Sequence, residues 1–87
     1  MSSITFSSLA FKEYNEWIEK DKDVFIKIKE LIKDISRDPF KGLGKPEPLK
    51  GNYSRLWSRR ITQEHRLIYS VTSDTINIVK CAGHYFD

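Results

Sequence analysis

Apolar and polar positions alternate with two different rhythms along the chain, and each rhythm specifies a different kind of element. Ile4 and Phe6 alternate with Ser3, Thr5 and Ser7, the two-residue period of a short strand with one buried face. Ser7 or Ser8 can then cap a helix. In that helix Ala10, Tyr14, Trp17 and Ile18 recur at the i, i+4, i+7, i+8 spacing of an apolar stripe, with Lys12, Glu13, Asn15, Glu16 and Glu19 outside it. Residues 20–23, all charged, read as a polar turn. A second helix starts near Val24, carries Val24, Ile28, Leu31, Ile32 and Ile35 on one face, and is stopped by Pro39. So short a turn predicts an antiparallel helical hairpin that needs an apolar surface to cover.

That surface comes from the second half. Gly42, Gly44, Pro46 and Pro48 predict an extended, partly rigid segment without regular structure from 39 to 52, because each proline also restricts the residue before it. Three strand-like runs follow at 56–61, 66–72 and 75–82, separated by turns at 62–65 and 73–74. The expected fold class is α+β in the order β-α-α-β-β-β. Short connections make the last three strands an antiparallel meander, and the sheet is expected to be antiparallel throughout, with the helical hairpin on one face and the first strand as an additional member.

Composition narrows what such a fold can do. With 87 residues, 39% apolar and 31% charged, the chain is expected to form one domain over 1–87. A domain of this size hides only about 60–65% of its unfolded surface, which leaves no room for a deep cofactor cavity. Any activity must then sit on the surface. Cys81 is the single cysteine, so there is no disulfide framework and no Cys-rich zinc site, and with no signal-peptide pattern at the start a reducing cytoplasm is expected. No apolar run approaches the roughly 18–20 residues of a membrane span. The net charge of +3 conceals an asymmetry: Lys41, Lys45, Lys50, Arg55, Arg59, Arg60 and Arg66 face only Glu47 and Glu64 in the middle of the chain. Such a face attracts polyanions or an acidic partner, and a solvated basic surface is the ordinary alternative.

Three candidates for chemistry stand out. Glu47, in Lys45-Pro46-Glu47-Pro48, has an extended backbone and cationic neighbours, which suits a positioned general base; a plain loop glutamate is the alternative. Arg66 lies across a hairpin from Arg59 and Arg60. Like charges so close repel unless an anion sits between them, so the cluster reads either as a phosphate site or as ordinary surface arginines. His84-Tyr85, after Gly83, offers a proton donor beside an aromatic that could stack on a base, or simply a frayed terminus. His65, in a turn beside Glu64, reads as structural. Two histidines, one cysteine and scattered acids give no metal spacing, no phosphate-binding glycine loop or nucleophile elbow is present, and Cys81 sits in an apolar run as a core residue. No cofactor is called for.

Four ordered strings carry a resemblance that covers nearly the whole chain: Gly42-Leu43-Gly44-Lys45-Pro46-Glu47-Pro48-Leu49-Lys50, Trp57-Ser58-Arg59-Arg60-Ile61, Glu64-His65-Arg66-Leu67-Ile68-Tyr69, and the late His84-Tyr85. At this spacing the sequence resembles the YoeB branch of the RelE toxin superfamily. The resemblance implies a microbial-ribonuclease-like fold and the toxin of a bacterial toxin–antitoxin pair, a metal-independent endoribonuclease that enters the ribosomal A site and cuts the messenger there. It places the catalytic residues on Glu47, Arg66 and His84. Phosphate or RNA contacts fall on Lys50 and Arg60, with Arg59 beside them in the cluster, and on Tyr85. It also implies a YefM-like antitoxin partner, a homodimer, and contact with operator DNA only through the antitoxin. Two features depart from the pattern. Gly51 and Gly83 stand where many members carry bulkier residues, and Phe86-Asp87 extends past the His-Tyr at which many members end. A catalytically inactive binding module that sequesters an acidic antitoxin or co-binds operator DNA is the competing functional class, and a purely structural partner subunit is a third.

Overall fold

The computed structural model describes residues 3–84. Its elements are β1 (Ser3–Phe6), α1 (Ser8–Lys20), α2 (Lys22–Arg37), β2 (Glu47–Pro48), β3 (Trp57–Arg60), β4 (Arg66–Thr72) and β5 (Thr75–Lys80), with a single 3-10 turn at Gly51–Tyr53.

Side-chain caps set the helix limits. Ser7 Oγ accepts the Ala10 N–H at 3.0 Å and donates to the Val79 carbonyl at 2.7 Å, so one hydroxyl both starts α1 and ties it to β5. Asp21 serves both helices. Its N–H donates to the Trp17 carbonyl, and its Oδ1 accepts from the N–H groups of Asp23 and Val24. The four-residue turn expected from the charge run is thus a single residue. Ala10 and Trp17 of α1, with Val24, Ile28, Leu31, Ile32 and Ile35 of α2, cover Leu67, Tyr69, Ile76, Ile78 and Cys81 of the sheet. Each fully buried aliphatic side chain there contributes about 1.5–3 kcal/mol. Ile18 is the exception to the expected stripe and is 44% exposed. It lies one residue, about 100°, around the helix from Trp17, which takes the sheet-facing position instead.

The sheet corrects the expected topology in two places. Its order is β1-β5-β4-β3-β2, and β1 pairs parallel with β5, Ile4 opposite Ile76 and Phe6 opposite Ile78, while the other pairs are antiparallel. The sheet is therefore mixed. Parity explains it: two helical passes return the chain to the end where β1 finished, so β2 runs against β1. Three further reversals bring β5 back into β1's direction. The second correction is β2 itself, in the segment expected to lack regular structure. Glu47 pairs with Ser58 and Pro48 with Trp57. A proline is tolerated there because β2 is the sheet's edge.

Arg59 is the third correction. Expected in a surface cluster, it is completely buried. All five guanidinium N–H donors are used: Nη1 on Asp34 Oδ2 at 2.6 Å and the Leu43 carbonyl, Nη2 on the carbonyls of Asp38 and Lys41, Nε on the Tyr69 hydroxyl. The Tyr69 hydroxyl in turn donates to the Pro39 carbonyl at 2.6 Å. This one side chain fastens the segment after α2 onto the sheet. Sequence alternation could not reveal this, since a cationic residue in a strand reads as outward-facing.

Candidate functional site

Because directly paired residues share a face of a sheet, the register defines what the helix-free face presents. Arg59 opposite Leu67 and Trp57 opposite Tyr69 point toward the helices; Ser58 opposite Ile68 and Arg60 opposite Arg66 point away. Ser58 and Ile68 are themselves buried on this face, and exposed Glu47 joins it at the edge through its pairing with Ser58. Lys80 joins it through its pairing with Ile68. One transverse row therefore reads Glu47, Ser58, Ile68, Lys80, and the next holds Arg60 and Arg66. Rows two residues apart are separated by about 6.7 Å and strands by about 4.8 Å, which puts the Glu47 and Arg60 backbones about 8 Å apart. Their side chains, one acidic and one basic, can reach neighbouring groups of one bound molecule.

Glu47 is aimed by the loop before it. Gly44 adopts a φ of +77°, and its carbonyl accepts the Arg60 N–H at 2.6 Å, which docks the loop on the end of β3 three residues ahead of the glutamate. Leu49 N–H to the Leu56 carbonyl, at 2.9 Å, closes the other side.

Arg66 is held by its own turn. Its Nη1 donates to the carbonyls of Thr62 at 2.7 Å, Gln63 at 3.1 Å and His65 at 3.1 Å, and these bonds leave the Nε and Nη2 positions to an incoming oxygen. Arg60 is exposed directly opposite. The two arginines are directly paired across the strands, and among the described residues neither forms an ion pair; Glu64 lies in the same lining. Arg60, Thr62, Gln63, Glu64, Arg66 and His84 line an open depression of about 890 Å³, large enough for a nucleotide unit.

His84 reaches this depression because Gly83 is anchored beneath it. The Gly83 carbonyl accepts the Arg66 N–H at 2.8 Å, and the Gly83 N–H donates to His65 Nδ1 at 2.8 Å. The structural part expected of His65 is thus visible.

The structure brings together Arg60, Arg66 and His84, sets Glu47 one row away, and leaves Lys50 exposed beyond Glu47, at the start of the 3-10 turn and away from the arginine pair. Arg59 is withdrawn into the interior, and Tyr85 lies outside the described residues. Sequence reasoning missed Lys80. A register shift near Ile68 and Tyr69 puts Ile78 opposite Tyr69 and Lys80 opposite Ile68. Strict alternation would have sent Lys80 to the core beside Ile76 and Ile78, and no residue pattern marks the bulge. Cys81 is fully buried, and burial, reinforced by the Glu13 charge, pushes its thiol up to about 12. A thiol so placed is not a nucleophile at neutral pH. Among the described residues no three His, Cys, Asp or Glu side chains cluster as metal ligands, and no helix is long and apolar enough to cross a membrane.

In sequence and in fold the chain is similar to bacterial toxins. Residues 6–85 match the family model of the YoeB-like toxin of bacterial type II toxin–antitoxin systems. Toxin YoeB of Escherichia coli K12 is 54% identical over 82 residues, covering 94% of this chain and 98% of that protein. The YoeB/ParE toxin of Agrobacterium tumefaciens superposes with a TM-score of 0.93 at 40% identity, covering 95% and 99% of the two chains. YoeB of Staphylococcus aureus has been solved as a dimer, with a TM-score of 0.90, 46% identity and coverages of 97% and 98%. It has also been solved in complex with YefM, with a TM-score of 0.89, 44% identity and coverages of 98% and 99%. The protein is thus a toxin of the type II toxin–antitoxin class. Within that class, the chain belongs to the YoeB-like family.

Proposed function

We propose that the protein is a ribosome-dependent endoribonuclease that cleaves messenger RNA in the A site and so inhibits translation, acting as one toxin domain over 1–87 in the cytoplasm. The observation that carries this reading is the cross-strand Arg60–Arg66 pair at the foot of His84. Opposed like charges cost stability, and a phosphate between them turns that cost into bidentate recognition.

In the proposed reaction Glu47 removes the proton from a ribose 2′-OH, whose oxygen attacks the adjacent phosphorus. Arg66 and Arg60 stabilise the charge that gathers on the phosphoryl oxygens. His84 gives a proton to the departing 5′-oxygen. The products are a 2′,3′-cyclic phosphate and a 5′-hydroxyl, and DNA, lacking the 2′-OH, is no substrate. Lys50, beyond Glu47, suits a neighbouring phosphate of the same strand. Tyr85 is proposed to stack on a base. A shallow site fits a substrate strand presented by a ribosome better than a free small molecule.

A YefM-like antitoxin is the proposed partner, supported by the solved S. aureus complex and by the basic face, over which an acidic segment can fold. Operator DNA would be met only through that antitoxin. The S. aureus dimer supports a homodimer.

The test is primer extension on messenger bound to programmed ribosomes. Wild-type protein should give discrete cuts, and Glu47→Ala, Arg66→Ala and His84→Ala should each abolish them while the folded circular-dichroism spectrum is kept. Full-length messenger with the wild type would instead establish a binding module.

A further inference from the structure

Resting on the reading of His84 as proton donor, we propose that His65 is a positioning residue, whose Nδ1 fixes Gly83 and thereby sets the direction in which His84 enters the site. Gly83 is held at both of its backbone groups by consecutive residues: its N–H by His65 Nδ1 and its carbonyl by the Arg66 N–H, both at 2.8 Å. Its φ is +73°, a left-handed conformation in which glycine has several neighbouring orientations open to it. A single bond at the carbonyl would leave the peptide plane before Gly83 able to rotate. The second bond fixes that plane, and with it the exit toward His84.

The His65 ring can serve as an anchor because it is itself anchored. Its backbone carbonyl accepts the N–H groups of Ile61 and Thr62 at 2.9 and 3.2 Å, and its N–H donates to Thr62 Oγ1 at 3.1 Å. The imidazole stands edge-on to Trp17, with centroids 4.8 Å apart and planes at 77°. Trp17 is locked in turn by its Nε1–H on the Cys81 carbonyl at 2.9 Å, two residues before Gly83. Accepting at Nδ1 requires a bare nitrogen, so the neutral ring carries its proton on Nε2. The His65 carbonyl also takes an Arg66 Nη1–H. One residue therefore bonds both the phosphate-site arginine and the peptide that leads to the proton donor. A ring present for packing alone would not need its Nδ1 against an amide.

The test combines nuclear magnetic resonance with single-turnover cleavage of ribosome-bound messenger. In the wild type a scalar coupling across the hydrogen bond should join the Gly83 N–H to His65 Nδ1. His65→Leu should lower the rate of the cleavage step by roughly 10- to 100-fold, the scale of a small misplacement of a catalytic group, with the half-saturating ribosome concentration unchanged. His65→Asn, whose Oδ1 falls near the lost Nδ1, should restore most of the rate. An absent coupling, a wild-type rate in His65→Leu, or equal loss of rate and melting temperature in both variants would overturn the proposal. If the wild type leaves the messenger intact, the nuclease reading fails on its own. The positioning claim is then decided by the coupling and by whether His65→Leu, but not His65→Asn, shifts the His84 ring signals.

Discussion

Arg59 Nη1 and Asp34 Oδ2 meet at 2.6 Å between helix and sheet, although the two residues stand twenty-five positions apart in the chain. The pair is completed by the Leu43 N–H on Asp34 Oδ2 at 2.8 Å and by Arg37 on Oδ1 at 3.0 Å. Removing the arginine takes the buried cation from Asp34, which keeps only the Leu43 N–H and exposed Arg37, and strands four carbonyl or hydroxyl acceptors. Arg59→Met should therefore destabilise the protein by about 3–5 kcal/mol. Urea unfolding checks this, and a variant within 1 kcal/mol of wild type would show that the guanidinium is replaceable by packing.

The same cluster governs acid stability. The Leu43 N–H, and after it the Arg59 guanidinium, hold the Asp34 carboxyl below its ordinary value of 3.8. A carboxyl with a depressed folded pKa binds its proton more readily in the unfolded chain. Its contribution is thus complete above 3.8, declines as pH falls below that value, and is lost once pH passes the folded pKa. Asp34→Asn should flatten this acid limb in melting temperatures recorded from pH 6 down to pH 2, while lowering stability at neutral pH. An unchanged acid limb would place the pH dependence elsewhere.

Gly44 separates conformational cost from steric cost. Both Gly44 and Gly51 have positive φ, +77° and +66°, so alanine at either position should cost about 1–2 kcal/mol from the backbone alone. A Cβ on Gly44, however, would stand 2.8 Å from the Arg60 carbonyl oxygen and 3.1 Å from its nitrogen, whereas one on Gly51 meets nothing within 4 Å. Gly44→Ala should thus lower the melting temperature well beyond Gly51→Ala, and, by lifting the loop off β3, should impair cleavage through a displaced Glu47. Equal melting temperatures for the two variants would contradict the docking.

Local signals were legible where they depend on neighbours in sequence. The helix faces around Ile28, Leu31 and Ile35, the stop at Pro39, the three later strands and the buried Cys81 all follow from periodicity and turn chemistry, and Glu47, Arg66 and His84 stood out through their flanking residues. What failed depends on distant partners. The burial of Arg59 requires Asp34 and the carbonyls of 38–43, none of which the strand pattern reveals. The parallel β1–β5 pair follows from chain-level parity rather than from any residue near Ile4. The turn beside Glu64 marks His65 as structural, but its hold on Gly83 needs the register of the finished sheet.

Lys80 shows how a backbone irregularity changes the chemistry of the site. In a regular β5 it would follow Ile76 and Ile78 into the core, where an ammonium group costs far more than a strand position returns. The bulge beside Ile68 and Tyr69 instead places it opposite Ile68, in the row that contains Glu47. Its Nζ lies 3.5 Å from where a side chain on Gly83 would begin, on the approach to His84. A cation there adds to the field that Arg60 and Arg66 make for a phosphate strand. Lys80→Gln should lower the single-turnover cleavage rate by about tenfold, or about 1.4 kcal/mol of barrier, with the melting temperature nearly unchanged. Lys80→Arg should retain most of the rate, and the defect should shrink as salt screens the wild-type charge. A Lys80→Gln variant that cuts at the wild-type rate at low ionic strength would remove the residue from the site and leave the bulge with a packing role alone.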